Sequence, residues 1–341
     1  PFLASAMITA RDGIAGRFDG ATLDPRELVG NDPDNMARWA PWVRAFVINN
    51  EIFSRLNCTS EVVSGSLTRA NIWHEEVTLP PGQPPQASYH RLLSLTRPSR
   101  QDFIAQLDLV NNYADLRNDR AAEVLNQVGF PTPFFGSIVS LHPESTSHTL
   151  ELVGICQIVA AALAMQMKHR LACLRPDAYS PQIQPMIPTP GHGTLPSAHA
   201  AEAFIVAGIL SILLPPSMDR ANMLMAQASR IAVNRTVAGV HFPADTFAGA
   251  LMGLTLAEYI AARARGGSLT AGTFDGNGIA HDDFHVSKVL QNGARTSYTN
   301  GAGAQIITVD HANADHAVSI AADNISSPLN WLWQRAQAEW T

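Results

Sequence analysis

A chain of 341 residues that is 46% hydrophobic and 15% charged has the composition of a globular protein able to bury a large core, which excludes general disorder. Its formal charge of -6 argues against nucleic acid or an anionic membrane as a partner, because either calls for a basic surface. Any anion site is then a local exception to an acidic whole.

The three cysteines, Cys58, Cys156 and Cys173, are odd in number and unrelated in spacing. They suggest neither a disulfide framework nor a zinc site. The most apolar stretches, 152–167 and 200–214, fall short of the roughly 20 residues of a membrane span and are expected as buried core helices. Residues 1–10 lack the regions of a signal peptide, and the compartment stays open.

In chain order, helices are expected over 36–56, over 99–127 with Ser99 as N-cap and Gly129 as stop, and over 145–174 up to Pro176. Three more follow at 198–214, 217–238 and 243–264, the last opened by Pro243 and closed by Gly266-Gly267. Residues 266–305 are Gly- and Asn-rich and predict a surface excursion before a short C-terminal helix from Pro328. Alternating strand patterns are scarce, so the expected fold is an all-α helical bundle. A single catalytic domain over 1–341 is expected, with an N-terminal helical half (1–144), core helices (145–265) and a tail of loops and helix (266–341). Between the core helices, residues 176–196 hold six prolines and two glycines. A connection that long inside a compact domain is usually functional.

The chemistry gathers around that loop. Lys168 and Arg175 are seven residues apart, hence on one helix face two turns apart. Alone, such a pair would only complement the helix dipole. Ser197 in Pro196-Ser197-Ala198-His199 stands where an N-cap belongs, before a helix whose free N–H groups form an anion site. His199 beside a bound oxyanion is a ready general acid or base. The third piece runs from Asn234 and Arg235 to His241, Phe242, Pro243 and Asp245. Asp245 in the first turn suits the dipole whatever else it does. It can also hold one ring nitrogen of His241 and leave the other to attack or ligate. Taken singly the pieces are ordinary, but their joint order and spacing arise by accident on the order of once in a million such chains.

These three pieces resemble the signature of the superfamily that contains vanadium-dependent haloperoxidases, bacterial non-specific acid phosphatases and lipid phosphatases of the type 2 phosphatidate phosphatase group. The match covers about 80 residues, Lys168 to Asp245, with Ala198 in place of the usual Gly and Asn234 in place of the usual Ser. The resemblance implies that Lys168, Arg175, Arg235, Ser197 and the Ala198 N–H bind the equatorial oxygens of vanadate or phosphate. His241 would be the axial vanadium ligand or nucleophile, and His199 would handle the apical proton.

A helical N-terminal half and the Gly239-Val240-His241-Phe242 segment resemble the haloperoxidases, which pack two bundles in one subunit. A vanadate-dependent enzyme that oxidises halide with hydrogen peroxide to hypohalous acid, for a small organic acceptor, is therefore the first expectation. His192 falls where that family lines its halide pocket, which favours bromide or iodide, though a solvent-facing loop histidine is the plain alternative. The second expectation is a soluble acid phosphatase working through a phosphohistidine, and the third an anion-binding or structural protein whose Ala198 has cost it activity. No membrane partner is expected, and a homo-oligomer stays open. Asp115 and Asp119, one turn apart, are candidate partners for Arg175 or Arg235, or simply a solvated face. The pairs His281/His285 and His311/His316, with aspartates nearby, could bind a cation, but the plainer expectation is that they sit at the surface.

Overall fold

The computed structural model describes residues 2–20, 22–65 and 67–341. It divides into two compact units. The first, up to Arg38, holds helix α1 (Phe2–Ala15), which buries none of its residues, and a 3₁₀ turn at Pro33–Arg38. The second, Trp39–Thr341, contains the helices and strands from α2 onward.

Helix α2 (Pro41–Phe53) starts with proline at its first position, where no N–H is needed. The chain then becomes an antiparallel meander, β1 (Leu56–Ser64), β2 (Leu67–Thr78) and β3 (Gln86–Thr96). Helices follow: α3 (Arg100–Asn112), α4 (Arg117–Asn126), α5 (Thr132–Val139), α6 (Ser147–Leu171), the single turn α7 (Pro176–Tyr179), α8 (Ala198–Leu213), α9 (Met218–Val237) and α10 (Pro243–Arg265). Short strands β4 (Gly267–Thr270), β5 (Gly272–Asp275), β6 (Leu290–Gln291), β7 (Ala294–Arg295), β8 (Tyr298–Thr299), β9 (Gln305–Thr308) and β10 (Ala317–Ile320) precede α11 (Ser327–Ala338).

The protein is therefore mixed α/β, 53% helical and 16% strand, and the expected all-α pair of bundles is wrong. A six-stranded sheet runs in the order β1-β2-β3-β5-β9-β8, with β3 and β5 parallel and the other pairs antiparallel. Its strands escape the alternation test because polar residues sit inside it. Asn71, His74, Ser94 and Thr96 are all buried, Ser94 donating to Asn71 Oδ1 at 2.7 Å and His74 lying 3.1 Å from the Tyr259 hydroxyl. The helix expected over 36–56 is really a 3₁₀ turn, α2 and the start of β1. The one over 99–127 is broken by a 3₁₀ turn at Tyr113–Leu116, although Ser99 and Asp102 do form a reciprocal capping box at its start. The excursion after 266 supplies strands rather than bare loop, pinned to α10 by buried Arg295, which donates to Glu258 and Thr255 at 2.8 Å each.

Helices α8 and α10 form the centre. Helix α8 is apolar on nearly all sides and correspondingly buried. The two backbones approach closely because glycines remove the side chains between them. A Cβ on Gly249 would lie 2.5 Å from the Ser197 carbonyl, and one on Gly253 would collide with the Ala201 carbonyl. Gly208 plays the same part from α8, where a Cβ would meet that of Ala257 at 2.6 Å. This contact places the first turn of α8 against the first turns of α10. The stretch Ser147–Tyr179 is long and apolar enough to cross a membrane by length and composition, and more than half of its apolar window is buried inside the protein.

Candidate active site

Helix α10 begins where the chain turns sharply after α9. Gly239 adopts φ +80°, open to glycine, and a Cβ there would strike the Arg117 guanidinium. Arg117 spans the turn and the proline-rich loop, donating to the carbonyls of Val237 at 3.0 Å, Gln184 at 2.8 Å and Ile183 at 2.9 Å. The loop is thereby fixed to the end of α9, with Met186 N–H bonded to the Ala238 carbonyl.

His241 emerges from this turn, buried at 3% exposure. Its Nδ1 lies 2.9 Å from Asp245 Oδ2, which also accepts from the Phe242 N–H at 2.9 Å and from the Thr194 hydroxyl. Asp245 thus both caps α10 and fixes the imidazole. With Nδ1 protonated toward the carboxylate, Nε2 keeps its lone pair, and Arg175 Nη1 approaches it at 3.4 Å. Burial, followed by the charges of Lys168 and Arg175, pushes the His241 pKa well below the usual histidine range. Burial raises Asp245 to about 6 against the Thr194 hydrogen bond and the Lys168 charge, so it is ionised at neutral pH.

The cations are held by backbone. Lys168 Nζ donates to the carbonyls of Gly193 at 2.9 Å and Thr194 at 2.7 Å, and burial lowers its pKa to about 7. Arg175 donates to the carbonyls of His192 at 2.9 Å and Val240 at 2.6 Å. Arg235, 1% exposed, donates to the Val124 carbonyl at 3.0 Å, while its Nε and Nη1 are buried without a partner. Burial lowers its pKa to about 10. Orphaned buried donors are rare in folded proteins and point here to an anionic ligand.

Ser197 N-caps α8, accepting from the Ala200 N–H at 3.3 Å. Ala198 is the first helical residue and has no positive φ, so its methyl group replaces the usual glycine hydrogen without backbone strain. Asn234 in place of Ser joins α9 to α4: its Oδ1 accepts from Arg120 at 2.8 Å and its Nδ2 donates to Gln127 Oε1 at 2.9 Å. Gln127 is fully buried beside Arg235, which the network steadies.

A cavity of 370 Å³ opens onto this arrangement. Arg175, His192, Ala198, His199, Arg235 and His241 all line it; Lys168, Ser197, Thr194 and Asp245 stand outside that lining. Leu125, Val128, Met165, Ile187 and Val240 make its outer wall apolar. His199 is half-buried, its Nε2 lies 3.2 Å from the Val128 carbonyl, and burial and Arg235 lower its pKa to about 4. His192 is exposed at the cavity wall, its Nδ1 3.2 Å from Arg175 Nη2. Asp115, in the 3₁₀ turn, and Asp119, in α4, are exposed and pair with neither arginine; Arg175 and Arg235 donate to backbone carbonyls instead. Among the described residues no group of three or more His, Cys, Asp or Glu is placed to hold a metal cation.

Sequence reasoning missed four contributors. Thr194, Arg117 and Gln127 gave no signal, because loop threonines and helical arginines or glutamines are common. Glu202 did: it is the lone carboxylate in the apolar run of α8, and it lines the cavity.

Residues 150–264 match the PAP2 superfamily. That span runs from α6 through α10 and holds the three motifs. Among solved structures, a transmembrane PAP2 type phosphatidylglycerolphosphate phosphatase from Bacillus subtilis is similar at 17% identity and a TM-score of 0.26, covering 47% of this chain and 94% of that one. A superposition that loose carries no argument. No curated protein matches.

Proposed function

From the premise that residues 150–264 form a PAP2 superfamily domain, we propose that this protein hydrolyses phosphate monoesters through a phosphohistidine at His241. The observation that carries this is the fixed imidazole: Asp245 holds Nδ1, and His241 lines a cavity together with Arg235, two of whose donors are buried without a partner. Arg175, Arg235 and the first N–H groups of α8 surround the equatorial oxygens, where negative charge concentrates in the transition state. Nε2 attacks phosphorus as the bond to the ester oxygen breaks, and that oxygen takes up a proton from an acid in the cavity. Water then attacks the phosphoryl group, gives its proton to a base there, and inorganic phosphate leaves with His241 regenerated.

The same donor set fits vanadate, which shares the shape of phosphate and would satisfy the orphaned Arg235 atoms. When bound it would supply activation of hydrogen peroxide toward halide, and His192 at the cavity wall is the observation in favour of that second reading.

Hydrolysis of an aryl phosphate and oxidation of bromide with added vanadate and hydrogen peroxide, measured side by side, separate the two. Aryl phosphate turnover is expected, with a phosphorylated protein trapped on the way that survives base and not acid. His241→Ala should lower turnover on the order of 10⁴-fold or more. Halide oxidation without phosphatase turnover would reject the hydrolytic reading.

A further inference from the structure

Gln127 closes α4 and is completely buried, yet its side chain sits among donors. Its orientation is forced link by link. The Arg120 guanidinium can only donate, so Asn234 Oδ1 accepts from it at 2.8 Å and Asn234 Nδ2 must donate. That Nδ2 gives to Gln127 Oε1 at 2.9 Å, and Arg235 Nη2 reaches the same oxygen at 3.5 Å. Gln127 Nε2 is left buried with no partner. Turning the amide over would only set Nε2 against two donors.

A carboxylate in this place would accept both bonds and leave no N–H orphaned. On stability alone glutamate is the better side chain, because a buried unsatisfied donor is costly and a buried guanidinium gains most from an opposite charge. The chain has the neutral one, and the consequence falls on Arg235. Among the described residues this guanidinium donates only to the Val124 carbonyl and to Gln127 Oε1, both uncharged, and its Nε and Nη1 stay open. Glu123, the carboxylate of the network, is engaged elsewhere, accepting from Arg230 Nε at 2.7 Å and from Asn234 Nδ2 at 3.1 Å. Glu202 lines the cavity with Arg235 but bonds to neither of the open nitrogens. Gln127 itself stands between Leu125 and Val128, which also line the cavity, and the Val128 carbonyl meets His199.

We propose that Gln127 is a positioning residue of the oxyanion site: its neutral carbonyl holds Arg235 in place without cancelling its charge, which keeps Nε and Nη1 open to a tetrahedral anion. The orphaned Nε2 is the loss of stability that goes with this choice, and such a loss at a buried polar group calls for a functional reason. Asn234, in the position of the usual Ser, supplies the donor that fixes the amide. The assignment rests on the oxyanion-binding part of the phosphatase reading and not on the transfer step.

Two variants of the full chain test it, with inorganic phosphate as the probe. Gln127→Glu is expected to resist denaturant better than wild type and, in calorimetry at neutral pH, to bind phosphate roughly 100-fold or more weakly, because the new carboxylate takes up the donors the anion needs. Gln127→Met keeps size and neutrality; it should be less stable than wild type yet bind phosphate within about tenfold of it. A purely structural side chain would not make the most stable protein the weakest binder. Phosphate affinity of Gln127→Glu equal to wild type, a loss of stability or of folding in that variant, or weaker binding by Gln127→Met than by Gln127→Glu would each overturn the assignment, while aryl phosphate turnover by wild type would leave the phosphatase reading in place. Phosphate binding by wild type without ester turnover, with the ranking of the variants intact, would reject the phosphatase reading and keep Gln127 in its role. A wild type that binds no phosphate would overturn both.

Discussion

Two corners of one cavity are built in opposite ways. Around His241, Asp245 Oδ2 takes three donors, Lys168 and Arg175 are tied to carbonyls, and the imidazole has one orientation. Around Arg235, two guanidinium donors are buried without partners. In the first corner the carboxylate oxygen that faces the imidazole is fully engaged and only Asp245 Oδ1 is left without a partner, so the orientation of His241 is set before a ligand arrives. The second is unfinished, and in the proposed reading a tetrahedral anion would supply what it lacks. Preorganisation of the attacking atom beside unsatisfied donors is what a site selective for a charged transition state requires.

Breaking the unfinished corner should have the larger effect. Arg235→Ala is expected to lower kcat about 10²–10³-fold and weaken phosphate binding, since it removes donors aimed at developing charge. Few native hydrogen bonds are lost with it, so unfolding by denaturant should change little. If activity and phosphate affinity both survived, the orphaned donors would have no ligand to serve.

Loosening the finished corner should do less. Asp245→Asn keeps the cap on α10 but weakens the hold on His241 Nδ1, for which a loss of about 10–100-fold is typical of residues that orient a reactive histidine. The wild-type pH profile sharpens this further. Because burial raises Asp245 to about 6, its carboxylate is present above that pH and lost as pH falls through it. Activity should decline on that acid limb, and the limb should vanish in Asp245→Asn. A limb that persists in the variant would assign it to another group.

The smallest catalytic effect is expected where the two corners are merely held together. Gly253→Ala puts a methyl group against the Ala201 carbonyl, and overpacking of this kind costs about 1–3 kcal/mol. A lowered melting temperature with near-normal kcat at low temperature is the expected outcome. Unchanged stability would mean that α8 and α10 can separate without cost.

The three motifs were legible because each is local. Spacing on one helix, a cap before an apolar run and a proline after a histidine are all fixed by backbone geometry, so residues from Lys168 to Asp245 could be read together before any fold was known. The meander of β1 to β3 was not legible, since Asn71, His74, Ser94 and Thr96 are buried in partnership with other parts of the protein and erase the alternation that marks a strand. Short strands after Gly266 looked like loop for a related reason: pairs such as β3 with β5 join segments separated by the whole helical core.

Sequence by itself therefore picked out the candidate site side chains and the order in which they stand. Tertiary structure alone decided which of their atoms are satisfied. Lys168 and Arg175 spend donors on loop carbonyls, Thr194 enters through a connection with no regular pattern, and Arg235 is left with two unpartnered donors and Asp245 with one unpartnered oxygen. Hydrogen-bond satisfaction is a property of burial and of neighbours distant in the chain, and no spacing rule encodes it.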